Sequence, residues 1–302
     1  MRISPIVLLL FPMLGCGSGT ETAKPPSESG GNQVQPQKVA TPEKQSAKTP
    51  AEMTPDQLKL GDPVVNSIGM LLVPIPAGQF QMGSPDSDKV AEDKEKPQHL
   101  VKITEPFYLS VYEITQQQYE KVMGVSPWQG KSIVQEGRDN PATHVGWDDA
   151  VEFCRKLSEQ EGVEYRLPTE AQWEFSCRAG TTTVHSFGDD ASKLGEYAWY
   201  SKNTLDIDEQ YAHRVGQKLP NPWGLYDMHG NVWEWCRDRY APYGSEKVLT
   251  DPTGSAQGEN RVLRGGSFLD APSPIVRSAT RGASLPANRY FYVGFRPSRT
   301  YP

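Results

Sequence analysis

The stretch from Trp223 to Trp235, WGLYDMHGNVWEW, constrains the fold of this chain more than any other segment. Aromatics, glycines and two acidic side chains recur there in a pattern that no generic core strand requires. Asp227 and Glu234 stand seven residues apart. Between them Gly230 and Asn231 allow the chain to turn and to present main-chain carbonyls. Hard cations such as calcium bind that mixture of oxygens. Taken alone, the same residues also fit a loop carrying two solvated acids.

With 302 residues and a formal net charge of −6, the chain is long enough for one large domain plus appendages. There is no basic excess to point to nucleic acid. Its 27 glycines, 26 prolines and only 36% hydrophobic residues predict many loops and tight turns. Residues 1–16 read as an export signal: Arg2 supplies positive charge, Ile6 to Phe11 form an apolar run too short to span a bilayer, and Leu14, Gly15 and Cys16 follow. A small residue before a cysteine at this depth looks like a bacterial lipobox, with Cys16 lipidated as the first mature residue. An ordinary signal peptide with an incidental cysteine is the other reading. Residues 17–61 are rich in Thr, Pro, Lys, Ser, Gln and Glu, and no aromatic occurs between Gly17 and Gln79. Such a segment buries too little apolar area to fold and reads as a tether with a random-coil reach of roughly 35 Å. That leaves residues 62–302 as the folded domain, held outside the cytoplasm at a membrane through the lipid on Cys16.

Within that domain, the two apolar stretches of MLLVPIPAGQFQM, Met70 to Met82, predict a hairpin closed around Pro76, Ala77 and Gly78. Three helices are predicted by capping-box spacing: Thr115 with Gln118, Asp149 with Glu152, and Thr169 with Gln172. Gly124, Gly162 and Gly180 stand where they should stop. Ala150, Phe153, Cys154 and Leu157 fall on one face of the second helix and read as core. After Gly180, short strands and loops are expected.

The signature at 223–235, together with RLPTEAQWEFSCRAG at 166–180, RVLRGGSF at 261–268 and VGFRPSR at 293–299, resembles the formylglycine-generating enzyme (sulfatase-modifying factor) family from about Gly69 onward. The resemblance implies an α+β, C-type-lectin-like fold with little regular secondary structure. It also implies a structural calcium site at the signature, with Asp227 and Glu234 ligating through side chains and Gly230 and Val232 through carbonyls. A second calcium site, sought between Tyr197 and His213, stays open. Oxidase members of the family carry a cysteine pair after RGGS that binds copper and engages the substrate thiol. Here Asp270 stands at the first of those positions, and no cysteine follows Cys236. Copper(I) needs soft thiolates, so copper is not expected, no catalytic residue is assigned, and Trp233 and Ser267 remain as the matching pocket residues. Two functions follow: a membrane-tethered, calcium-stabilised binding or scaffold module with a protein or peptide ligand, or an oxidase that converts a sulfatase cysteine to formylglycine. The missing cysteines favour the first.

Some relatives bridge cysteines at the positions of Cys154 and Cys177 to partners near the C-terminus, where this chain has Pro297 and Ser278. Buried thiols are therefore expected at Cys154, Cys177 and Cys236, with a disulfide as the alternative. The five histidines show no metalloprotease spacing. His229 reads as orienting its loop. Arg264, Arg277, Arg281 and Arg296 read either as ion pairs within the core or as an arginine-rich ligand surface.

Overall fold

The computed structural model describes residues 55–272 and 275–302. The signal segment, Cys16 and most of the tether lie outside the described residues. In chain order the elements are α1 (Pro55–Lys59), β1 (Val64–Val65), β2 (Leu71–Ile75), β3 (Gly78–Met82), β4 (His99–Ile103), β5 (Phe107–Ser110), α2 (Gln116–Met123), α3 (Trp147–Glu161), β6 (Tyr165–Arg166), α4 (Glu170–Arg178), α5 (Leu194–Tyr197), β7 (Trp233–Arg239), β8 (Val248–Thr250), β9 (Arg261–Arg264), β10 (Gly282–Ser284), β11 (Val293–Gly294) and β12 (Ser298–Thr300). They form three small sheets, ordered β1-β2-β5-β12-β6, β10-β9-β7-β11 and β3-β4-β8. Helices and strands are mixed, as expected of an α+β protein.

Two of the predicted helices begin as their sequences require. Thr115 accepts the Gln118 N–H while Gln118 accepts the Thr115 N–H, and Thr169 and Gln172 repeat the exchange at α4. Each box satisfies two amide groups that a helix start leaves without partners. Gly124 and Gly162 end α2 and α3 in the left-handed region. At α4 the same conformation falls on Ala179, with φ 48°, one residue before Gly180. The α3 stripe of Ala150, Phe153, Cys154 and Leu157 is buried, where Tyr119 of α2 stacks on Phe153 and Phe295 meets it edge-on.

Three expectations are corrected. Leu71–Ile75 and Gly78–Met82 are strands but not a hairpin: β2 pairs with β1 and β5, β3 with β4. Every residue of β2 is buried, whereas β3 is largely exposed, so burial separates them into a central and an edge strand. Helix α3 begins at Trp147, and Asp149 is its third residue, accepting the Gly146 N–H at 2.8 Å instead of capping from outside. The Trp147 indole donates to the Cys236 carbonyl at 2.8 Å, which anchors the earlier start. The folded part also reaches back beyond Asp62. Gln57 of α1 is buried, and its amide donates to the carbonyls of Pro74 and Trp223, so polar bonding fixes a segment that has little apolar area.

Candidate functional site

The signature segment enters the core as turns and leaves it as β7. Asp227 and Asn231 both take positive φ, 61° and 65°, a conformation in which Asn and Asp are enriched over other side chains. Gly230 passes so close to Trp199 that a Cβ would lie 2.2 Å from its carbonyl oxygen, so no larger residue fits. Asn231 closes the turn by accepting the His213 N–H at 2.8 Å and donating to the Glu113 carboxylate and the His213 carbonyl.

These turns bring Asp227 and Glu234 into one buried electrostatic cluster with Glu113 and Arg296. Both oxygens of Glu234 have partners. Arg296 grips both of its oxygens at 2.7 Å, and the Trp173 indole donates to Oε2 at 2.8 Å. Asp227 is half engaged: Oδ2 accepts the Gly216 N–H at 2.7 Å, while Oδ1 is buried without a partner. Glu113 likewise has one oxygen bonded to Asn231 and the other, Oε2, buried and unpartnered. Burial, and then the Asp227 charge, push the Glu113 carboxyl well above its usual range. Burial also raises Asp227 to about 6, against the opposing bond from Gly216. The surplus of acid over guanidinium gives a cation something to neutralise, and unpartnered buried oxygens are costly until they find one. Among the described residues no three Asp, Glu, His or Cys side chains converge into a complete ligand set. An ion here would therefore need main-chain carbonyls as well.

Glu113 was not singled out in the sequence. It lies outside the signature, and only the acceptor required by Asn231 signals it. In the region suggested for a second site, Asp206 and Asp208 are exposed, Glu209 bonds the His213 ring at 2.7 Å, and Asn203 accepts the Tyr200 N–H.

At the other candidate centre, Asp270 is locked in place. Its Oδ2 accepts from the Ser267 N–H at 2.8 Å, the Ser267 hydroxyl at 2.7 Å and the Trp233 indole at 2.8 Å. Burial raises the Asp270 carboxyl, and these bonds pull it back. Trp233 and Ser267, expected from the resemblance as pocket residues, thus both bond directly to Asp270, the side chain expected at the first cysteine position. The arrangement offers an oxygen acceptor and no thiol.

Cys154, Cys177 and Cys236 are free and buried. Burial raises all three thiols, Cys177 to about 12, which keeps them protonated and unreactive. His229 accepts the Ser186 N–H at 3.0 Å, and burial holds it well below the usual histidine range. A neutral ring orienting the Ser186 loop follows. The arginines of the C-terminal segment form buried ion pairs: Arg264 with Glu174, Arg277 with Glu95, Arg281 with Glu170, and Arg296 with Glu234.

A family profile described as "Sulfatase-modifying factor enzyme 1-like domain" matches residues 63–301. The mouse (Mus musculus) "Formylglycine-generating enzyme" is 29% identical over 282 residues, covering 74% of each chain. Among solved structures, PvdO from Pseudomonas aeruginosa superposes with a TM-score of 0.71 at 28% identity, covering 80% of this chain and 98% of its own. The Treponema denticola variable protein 1 gives 0.69 at 27% identity, covering 79% and 98%.

Proposed function

The chain belongs to the sulfatase-modifying factor enzyme 1-like family, and from that premise we propose that it is a binding or scaffold module of the family and not an oxidase. One observation carries the reading. Where the resemblance implies a copper-binding cysteine, the Asp270 carboxylate accepts three hydrogen bonds from Ser267 and Trp233. A hard oxygen ligand does not replace a soft thiolate, and no cysteine lies between Cys236 and residue 302. Copper(I) does not fit this donor set. Held in this way, Asp270, Ser267 and Trp233 form a fixed polar element in a module whose ligand is a protein or peptide. Titration with copper(I) against a competing chelator tests the reading: the protein should take up no tightly bound copper. Stoichiometric binding that Asp270→Ala abolishes would overturn it.

Calcium does fit the signature. The orphaned oxygens of Asp227 and Glu113 and the excess of buried carboxylate support an ion held by Asp227, by the carbonyls of Gly230 and Val232, and by Glu234, whose Oε1 keeps a lone pair beyond its Arg296 bond. The ion would supply positive charge where the fold has gathered acid. Lipidation of Cys16 would hold this module at the outer side of a bacterial membrane. Replacing Cys16 with Ser should release the protein from the membrane fraction or leave it unprocessed, and unchanged fractionation would remove the anchor from the account.

A second reading, oxidation of a sulfatase cysteine to formylglycine, is favoured by the likeness to the mouse formylglycine-generating enzyme. The Asp270 geometry weighs against it.

A further inference from the structure

Each buried arginine among the described residues is matched to a carboxylate: Arg178 to Glu174, Arg264 to Glu174, Arg277 to Glu95, Arg281 to Glu170, Arg296 to Glu234. Half-buried Arg166 and exposed Arg237 have no such ion pair. Both line a cavity of about 360 Å³ beside the first turn of α4, together with Thr169, Gln172 and Thr253. They also share the wall of a neighbouring hollow of about 390 Å³ under α3. Burial and then the charge of Arg237 hold Arg166 below the usual arginine range, with Glu164 and Asp238 opposing weakly. Two like charges thus face a cavity without a counter-ion at contact distance among the described residues.

The hydrogen bonds around them leave donors over. Arg166 spends only Nη1, on the Leu167 carbonyl, Gln172 Oε1 and the Ser298 hydroxyl. Its Nε and Nη2 take no partner among the described residues, and neither does the Arg237 guanidinium. Gln172 uses its oxygen to accept from Arg166 and the Thr169 N–H, which leaves its amide N–H groups. Thr169 uses its oxygen to accept the Gln172 N–H, which leaves its hydroxyl proton. Two acidic side chains stand at the same cavity, Glu105 and Asp251. Asp251 is already held by the Thr104 N–H and hydroxyl, and Glu105 is exposed.

We propose that this cavity binds a tetrahedral oxyanion group, sulfate or phosphate, between Arg166 and Arg237. Guanidinium groups match such oxygens in paired bonds. Two guanidiniums, an amide and hydroxyls offer more donors than the two oxygens of a carboxylate use. The site is independent of Asp270 and of the acidic cluster.

Calorimetric titration and melting curves with sodium sulfate, sodium phosphate and sodium acetate, at matched ionic strength in chloride, test it. Sulfate or phosphate should bind saturably and raise the melting temperature, while acetate should not. Arg237 is exposed, so Arg237→Ala should keep its circular dichroism spectrum and its melting temperature in chloride yet lose at least about tenfold in anion affinity, about 1.4 kcal/mol. Arg237→Lys should recover part of that loss. Phenyl phosphate and phenyl sulfate distinguish the source: binding as tight as that of the inorganic ion points to an ester group, and weaker binding to the free ion. Equal binding of acetate, or unchanged affinity in Arg237→Ala, overturns the proposal.

Discussion

Single residues carry the distinctions that matter here, and they differ in how far the sequence discloses them. Asp270 was legible because it stands where the resemblance implies cysteine. Its bonds to Ser267 and Trp233 were not, because side-chain geometry has no linear signature. Glu113 was missed, since it meets Asp227 only through the fold. Neutralising it should relieve buried repulsion: Glu113→Gln is expected to melt higher than the parent in chelator and to gain less from added calcium, both read by thermal denaturation. A second residue-scale test concerns Asp238, which is buried and accepts the Glu170 N–H at 2.9 Å. Burial and then the Glu170 charge raise its carboxyl to about 7. Because the folded value exceeds the unfolded one of 3.8, the stabilising preference for the protonated form is complete below about pH 4 and is lost as pH rises through 7. Asp238→Asn should therefore melt several degrees above the parent at pH 8 and match it near pH 4. Parallel melting curves across that range would contradict the burial argument.

At the scale of elements, local chemistry predicted what local chemistry decides. The boxes at Thr115 and Thr169, the glycine stops of α2 and α3 and the apolar stripe of α3 were all readable, because each depends on neighbours within one or two turns. The supposed hairpin at 70–82 failed for the opposite reason. Strand partners are chosen by burial across the whole fold, and β2 needs cover on both faces while β3 does not. Helix α3 started early because the Trp147 indole finds a carbonyl 89 residues away. These local devices have measurable worth. Thr169→Ala removes one half of the α4 box and should cost about 1 kcal/mol, seen as a drop of about 2–4 °C in melting temperature for a domain of this size. Loss below the error of the measurement would mean that tertiary packing alone sets the start of α4.

For the whole molecule, the fold class followed from four motifs in family order and not from composition, which foretold only an abundance of turns. The core contains buried arginine–carboxylate pairs, among them Arg264 with Glu174 and Arg296 with Glu234, and the acidic surplus at Glu113 and Asp227 sits next to the last of them. Chelation should therefore lower the melting temperature of the entire domain, and millimolar calcium should restore it by mass action. Identical melting in chelator and in calcium would remove the ion from the account. The central claim, that the family pocket persists here without its oxidase chemistry, is tested most directly by turnover. A cysteine-containing sulfatase peptide incubated with the protein, copper, reductant and oxygen should show no aldehyde product by mass spectrometry, whereas formylglycine accumulating in proportion to the protein added would contradict the claim.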